Sequence, residues 1–298
     1  MIAPRASFTL PLAGRAPLVL GPRTLVMGVL NVTPDSFSDG GAALDPDRAL
    51  DLALAMEAGG ADLLDIGAES TRPGATPISG RDERKRLLPV MRKLHRLRIP
   101  ISIDTTKAEV ARFGLDEGAV IVNDVSGLQY DPALGDIVAV RGAPLVLMHM
   151  RGRPADMYAH ATYGNVAADI ARDLTRAVER AVSRGVAWDR LVLDPGLGFA
   201  KRAEASAAVL AGLETLAALG RPLLVGPSRK SFLTAAVGDV PAADRDWATA
   251  AAVTAAVLGG CHIVRVHAVP EMVQVARVAD MIRGHSTGTS QGCAPTSS

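Results

Sequence analysis

The sequence predicts an α/β fold, a (β/α)8 TIM barrel formed by one domain over residues 1–284, and three observations carry that reading. Eight short apolar runs recur along the chain, and helical stretches fill the intervals between them. Most of the runs are apolar throughout instead of alternating, as strands covered on both faces must be. An open doubly wound sheet fits the same pattern, but eight units favour closure.

In order, the runs are Leu25–Leu30, Leu63–Gly67, Ile99–Ile103, Ala119–Val122, Pro144–Met148, Leu191–Leu193, Leu223–Gly226 and His262–Val266. Ahead of them, Ser7–Leu12 and Pro17–Leu20 flank Ala13-Gly14-Arg15-Ala16, a β-hairpin placed to cap the N-terminal mouth of the barrel. Ser79 with Asp82 forms a capping box that opens a helix over Arg81–Arg96, whose many basic residues are a solvated outer face. Helices over Asn165–Gly185, Ala203–Gly220 and Pro241–Gly259 each end at a glycine, the residue suited to a left-handed C-terminal stop. Residues 285–298 are small and polar and predict a disordered tail.

Composition narrows the function. Lys plus Arg number 32 against 31 Asp plus Glu, so no basic field is available to hold nucleic acid or an anionic membrane surface. Aromatic residues are 3% of the chain, too few for a base-stacking platform. Cys261 and Cys293 match neither a disulfide framework nor a zinc pattern, which suggests a reducing, cytoplasmic setting. The N-terminal segment lacks the apolar core of a secretory signal. The longest uncharged stretch, Ala248–Val264, is broken by Gly259-Gly260 and falls short of a membrane span.

The reactive face of such a barrel lies where strands end, because side chains from different strands converge there. The strand ends deliver Asn31, Glu69-Ser70-Thr71-Arg72, Asp104, Asn123-Asp124, His149, Asp194, Ser228-Arg229-Lys230-Ser231, and Arg265 with His267. Singly these have bland readings: Asp194 as a turn cap in Asp-Pro-Gly, His267 as a structural histidine, Lys230 as a Schiff-base lysine in an aldolase-like site. Together they outline one rim. His267 stands two residues after Arg265, so both side chains face the same side of the strand. Two long polar loops rich in Gly and Pro, residues 31–41 and 70–80, are either ordinary turns or lids.

Val26-Met-Gly-Val-Leu-Asn-Val-Thr-Pro-Asp-Ser-Phe-Ser-Asp-Gly-Gly41 and Ile66-Gly-Ala-Glu-Ser-Thr-Arg-Pro-Gly74 resemble the two signatures of the dihydropteroate synthase family. The similarity continues through Ser102-Ile-Asp-Thr105, Val122-Asn-Asp-Val125, Leu147-Met-His-Met150, Leu193-Asp-Pro-Gly-Leu-Gly-Phe199, Gly226-Pro-Ser-Arg-Lys-Ser231 and Ile263-Val-Arg-Val-His267. Ala68 and Pro227 depart from the family pattern, and Pro227 removes an amide donor near Lys230.

The resemblance implies a transferase that joins a dihydropterin pyrophosphate to p-aminobenzoate. It implies pterin contacts from Asp104, Asn123, Met148, Asp194, Phe199 and Lys230, and pyrophosphate contacts from Asn31, Thr71, Arg72, Arg265 and His267. It also implies p-aminobenzoate contacts from Thr71, Pro73, Phe199, Lys230 and Ser231, with Mg2+ held by Asn31 and pyrophosphate oxygens. Catalysis would rest on Lys230, Arg265, His267, Arg72 and Asp104, in a homodimer packed through the later barrel helices. A pterin-binding methyltransferase and a catalytically silent relative kept for binding are the rival readings.

Overall fold

The computed structural model describes residues 2–3, 5–33 and 45–287. The greater part of the first expected lid and the tail from residue 288 lie outside them.

An antiparallel hairpin, β1 (Phe8–Leu12) and β2 (Arg15–Leu20), precedes eight parallel strands. These are β3 (Leu25–Asn31), β4 (Leu63–Gly67), β5 (Ile101–Asp104), β6 (Ile121–Asp124), β7 (Leu145–Met148), β8 (Leu191–Asp194), β9 (Leu224–Val225) and β10 (Ile263–Val266). They pair in the order β8-β7-β6-β5-β4-β3-β10-β9. A parallel bridge between Leu193 and Leu223 joins the two ends, so the sheet comes round on itself as a barrel. The helices are α1 (Pro46–Ala58), α2 (Gly80–Leu94), α3 (Ala108–Asp116), α4 (Ala133–Arg141), α5 (Val166–Ser183), α6 (Ala203–Ala211), α7 (Leu213–Ala217), α8 (Thr234–Val237), α9 (Asp246–Leu258) and α10 (Val269–Thr287).

Strand period decides which side chains meet. Leu64, Ile66, Ile103, Val122, Leu145, Leu147, Leu191, Leu193, Val225 and Val264 face outward into the core shared with the helices. Met27, Leu63, Ile121, Val146, Val192, Leu224 and Ile263 face inward and form a separate apolar layer with Leu10, Leu12 and Leu20 of the hairpin. The hairpin thus plugs the N-terminal mouth, as its sequence suggests. Its turn is tighter than expected: Leu12 pairs with Arg15 across Ala13-Gly14 alone, with Gly14 at φ 67.

Several element bounds differ from the sequence reading. Ala203–Gly220 is two helices parted at Gly212, where the missing side chain weakens the helix. The stretch from Pro241 begins as a 3-10 turn, Ala242–Asp244, before α9, and α9 stops at Gly259 in a right-handed conformation, with the left-handed residue one later at Gly260. Ser79 caps α2 by accepting from the Asp82 amide at 3.1 Å, as its motif requires. α10 runs through Thr287, past the expected domain boundary.

Leu20 is wholly buried in the plug layer. Leu20→Ala should lower unfolding stability by about 3 kcal/mol, the usual cost of a core leucine, and leave turnover per folded molecule unchanged. Urea titration beside an activity assay checks both. Lost turnover at unchanged stability would contradict a purely structural plug.

Candidate active site

Two residues beyond the apolar layer, the same inward face turns polar. In register order it presents Asp65 on β4, Ser102 and Asp104 on β5, Asn123 on β6, Met148 on β7, Asp194 on β8 and Arg265 on β10. Asp65, Asn123, Met148, Asp194 and Arg265 each stand one strand repeat beyond an apolar residue of the plug layer, and Asp104 stands one repeat beyond Ser102, so side chains of six strands converge toward the C-terminal end of the barrel. Gly67 leaves room for Asp104, since a Cβ there would stand 3.2 Å from that of Asp104.

Arg265 organises this face. Its Nε donates to Asp65 Oδ2 at 2.7 Å and its Nη2 to Asp104 Oδ2 at 2.8 Å. Asn123 Nδ2 donates to the same Asp65 oxygen at 2.9 Å. Burial opposes the guanidinium charge, but the two carboxylates outweigh it and raise the Arg265 pKa. Burial and the charge of Asp65 push the Asp104 carboxyl above its ordinary range. Asp65 Oδ1 and Asn123 Oδ1 are buried acceptors with no protein partner.

Asp194 closes the opposite side. Its Oδ1 accepts from the Gly196 amide at 2.7 Å, and burial raises its pKa against the charges of Lys230 and Arg265. Lys230 lies against this group, its Nζ donating to Leu197 O at 2.6 Å and standing 4.6 Å from the centre of the Phe199 ring. Burial brings Lys230 down to about 8. Lys201, 1% exposed, braces the loop from behind, with Gly196 O at 2.9 Å, Phe199 O at 2.8 Å and His149 Nδ1 at 2.8 Å around its Nζ. His149 Nε2 in turn stands 3.2 Å from Asp173 Oδ2, and burial lowers this ring to about 4.

The last strand ends with a neutral ring. The Ser228 hydroxyl accepts from the His267 amide at 3.1 Å and lies 2.9 Å from His267 Nδ1. Burial and then the charge of Arg265 bring His267 down to about 3, and Arg72 acts in the same direction. His267 thus contributes a neutral hydrogen-bonding ring beside Arg265. Pro227 fits its place: its carbonyl accepts from the Lys230 amide at 3.4 Å, closing a turn in which Arg229 adopts φ 58. Arg229 is held there by Asp246, through Nε at 2.8 Å and Nη2 at 2.7 Å. Beyond Lys230 comes a 3-10 turn, Ser231–Leu233, and Ser231 is exposed.

The second loop stands over this rim. Arg72-Pro73-Gly74-Ala75 is a turn closed by Ala75 N–H to Arg72 O at 3.0 Å, with Gly74 at φ 77, the geometry a Pro-Gly pair supplies. Arg72 and Pro73 are exposed and Thr71 is half-buried. Asn31 ends β3 beside Gly67. No group of three or more His, Cys, Asp or Glu side chains suited to a metal occurs among the described residues. One amide oxygen at Asn31 nevertheless fits magnesium carried in on phosphate oxygens, the mode in which that ion keeps few protein ligands.

The structure therefore gathers Asp104, Asn123, Met148, Asp194, Phe199, Lys230, Arg265 and His267 about one mouth, with Asn31 and residues 71–73 on its edge. The sequence reading missed Asp65 and Lys201. A lone carboxylate inside the apolar run Leu63–Gly67 was the available signal for Asp65.

Comparison with known proteins agrees with this geometry. The family model described as pterin binding enzyme matches residues 27–267. A dihydropteroate synthase of Synechocystis sp. is 46% identical over 263 residues, covering 88% of this chain and 91% of the relative. The Yersinia pestis dihydropteroate synthase, solved with a sulfonamide drug complex, superposes with TM-score 0.86 at 40% identity, over 93% of this chain and 100% of that one. A Xanthomonas albilineans dihydropteroate synthase solved with 4-aminobenzoic acid gives TM-score 0.85 at 39% identity, over 93% and 99% of the two chains.

Three rings are buried as bases whose pKa falls: His149 and His262 to about 4 and His267 to about 3. Each should stay neutral from pH 8 to pH 5 in the folded chain, while an unfolded chain would protonate them near the ordinary value of about 6.5. Their contribution to stability is thus intact above about pH 6.5 and declines as pH falls below it. Imidazole NMR resonances that remain still over that range are expected, and a midpoint near 6.5 for any of the three would refute its burial.

Proposed function

The chain belongs to the dihydropteroate synthase family of pterin-binding enzymes, and we propose that its rim performs the reaction of that family with the following division of labour. The enzyme condenses 6-hydroxymethyl-7,8-dihydropterin pyrophosphate with p-aminobenzoate, giving 7,8-dihydropteroate and pyrophosphate in folate biosynthesis. The observation that carries the assignment of roles is the acceptor-lined floor. Asn123 Oδ1 is buried with no protein partner, and Asp194 has committed one carboxylate oxygen to Gly196. These atoms match the N–H edge of a pterin. Asp104 adds a further acceptor, Lys230 donates to the ring's carbonyl side, and Met148 and Phe199 cover its faces.

The diphosphate end points to the arginines. Arg265 spends two N–H groups on Asp65 and Asp104, which fix its plane and leave the rest of its fork for phosphate oxygens. Arg72 brings a second positive charge from the loop, while Asn31, Thr71 and His267 add neutral contacts. Asn31 would be among the protein ligands of a bound Mg2+, which would supply further charge neutralisation to the leaving group.

The aniline nitrogen is a weak nucleophile, so departure of pyrophosphate dominates the barrier. The pterin spreads the developing positive charge on its methylene, and the arginines meet the negative charge on the leaving oxygens. A covalent enzyme intermediate has no part in this scheme. Lys230, 4.6 Å from the centre of the Phe199 ring, is read as a pterin donor instead of a Schiff-base lysine because the chain belongs to the dihydropteroate synthase family. Thr71, Pro73, Phe199, Lys230 and Ser231 receive p-aminobenzoate, and sulfonamides would compete there, as the drug complex of the Yersinia pestis relative suggests.

Two further readings complete the proposal. Trp247, Ala251 and Ala255 form an exposed apolar stripe on α9, and Val278 and Met281 are exposed on the neighbouring α10, a surface suited to a homodimer. A cytoplasmic site of action accords with Cys261, a buried thiol that burial pushes up to about 12. No helix among the described residues is long and apolar enough to cross a membrane.

Incubating the protein with both substrates and Mg2+ and measuring pyrophosphate release tests the activity. Arg265→Ala should lower turnover by roughly a hundredfold or more while pterin binding stays measurable by calorimetry, because charge compensation in the transition state is lost. Unchanged turnover would refute the role of Arg265. Trp247→Glu should shift the sedimentation of a dimer toward that of a monomer, and an unaltered dimer would place the interface elsewhere.

A further inference from the structure

An ion triad lies behind the rim, outside the machinery assigned above. Lys107, at the start of α3, reaches Glu69 Oε2 at 2.7 Å and Glu83 Oε2 at 2.7 Å. Glu83, on α2, is fully buried, and Glu69 and Lys107 are largely so, with side chains 15% and 22% exposed. A buried carboxylate such as Glu83 is costly without a cation beside it, so the position of Lys107 is strongly determined. That cation in turn fixes Glu69.

Glu69 is the base of the second loop. Its other oxygen, Oε1, accepts from the Ile78 amide at 2.9 Å, so one carboxylate spans the loop from its first residue to its last. Arg86 Nη1 adds a bond to Ala68 O at 3.0 Å just before the loop begins. At the tip, Gly74 N–H donates to Pro154 O at 3.0 Å. Between these anchors stand Thr71, Arg72 and Pro73, whose side chains make none of the holding bonds. Where they stand is therefore set at the base and the tip. Lys107 is two residues from Thr105 and three from Asp104, so the same short segment carries both a floor residue of the pocket and the anchor of its loop.

We propose that Lys107 is a positioning residue for the reaction: by clamping Glu69 against buried Glu83 it holds the 70–78 loop closed at its base and sets Thr71, Arg72 and Pro73 over the rim. The inference rests on the reading, given above, that these three meet p-aminobenzoate and the diphosphate. Lys107 itself touches neither. Its loss should leave the pterin floor intact and cost the contacts that the loop supplies.

The test compares Lys107→Met, Lys107→Arg, Glu69→Gln and Arg72→Ala in the full chain, by steady-state kinetics with Mg2+ and by calorimetric titration with a pterin. Lys107→Met should raise KM for p-aminobenzoate by roughly tenfold or more with pterin affinity within about twofold, and Lys107→Arg should restore most of the loss. Glu69→Gln keeps the Lys107–Glu83 pair and weakens only the loop arm, so it should show the same split even if Lys107→Met folds poorly. An unchanged KM in Glu69→Gln and in a folded Lys107→Met overturns the proposal. So does a parallel fall in pterin affinity, which would mark the triad as general scaffold. If Arg72→Ala also leaves the kinetics unchanged, the loop has no part in the reaction and the underlying reading fails; if Arg72→Ala is impaired while the other variants are not, only the positioning role falls.

Discussion

Everything at the rim depends on one guanidinium. Arg265 bridges Asp65 and Asp104 inside a barrel whose lower half is dry hydrocarbon, and without it two carboxylates would face each other with little water to separate them. Breaking a buried pair by removing one member costs about 3–5 kcal/mol, chiefly because the remaining charge is stranded. The same pairing also prepares Arg265 for its work. Its plane is fixed by the two carboxylates, so little reorganisation would be needed for its remaining donors to meet an anion.

The strand repeat explains how a small number of residues achieve this. On β4, β6, β7, β8 and β10 one inward position belongs to the plug layer and the next lies at the rim, so packing and polar groups share an element without competing for a face. Burial then sets protonation across the site. It raises Asp104 and Asp194, lowers Lys230 to about 8, and keeps His267 neutral at about 3.

The barrel and most of its rim were legible in the sequence, because strand ends in a parallel barrel are polar for a reason that leaves a mark after each apolar run. Asp104, Asn123, Asp194 and Arg265 were found that way. Asp65 was not, since it lies in the middle of its run with apolar neighbours on both sides, and only the two-residue step from Leu63 shows that it faces inward. Lys201 was hidden for another reason: its partners are backbone carbonyls of Gly196 and Phe199, which no side-chain pattern reports. The break at Gly212 is the local effect of a residue that weakens a helix, which the apolar pattern does not report. The neutral state of His267 likewise depends on depth and then on the nearness of Arg265, neither of which composition reveals.

The hairpin has a practical meaning for anyone handling the molecule. With Leu10, Leu12 and Leu20 filling the lower opening, traffic of reactants and product is confined to the far end of the barrel. The N-terminal segment is stitched to that lower side, Ala3 to Leu258 O at 3.1 Å and Arg5 to Asp280 at 2.9 Å. A bead, surface or fluorescent fusion joined ahead of Ala3 would hang beneath the molecule, so an immobilised preparation should keep its working entrance turned toward the bulk solution.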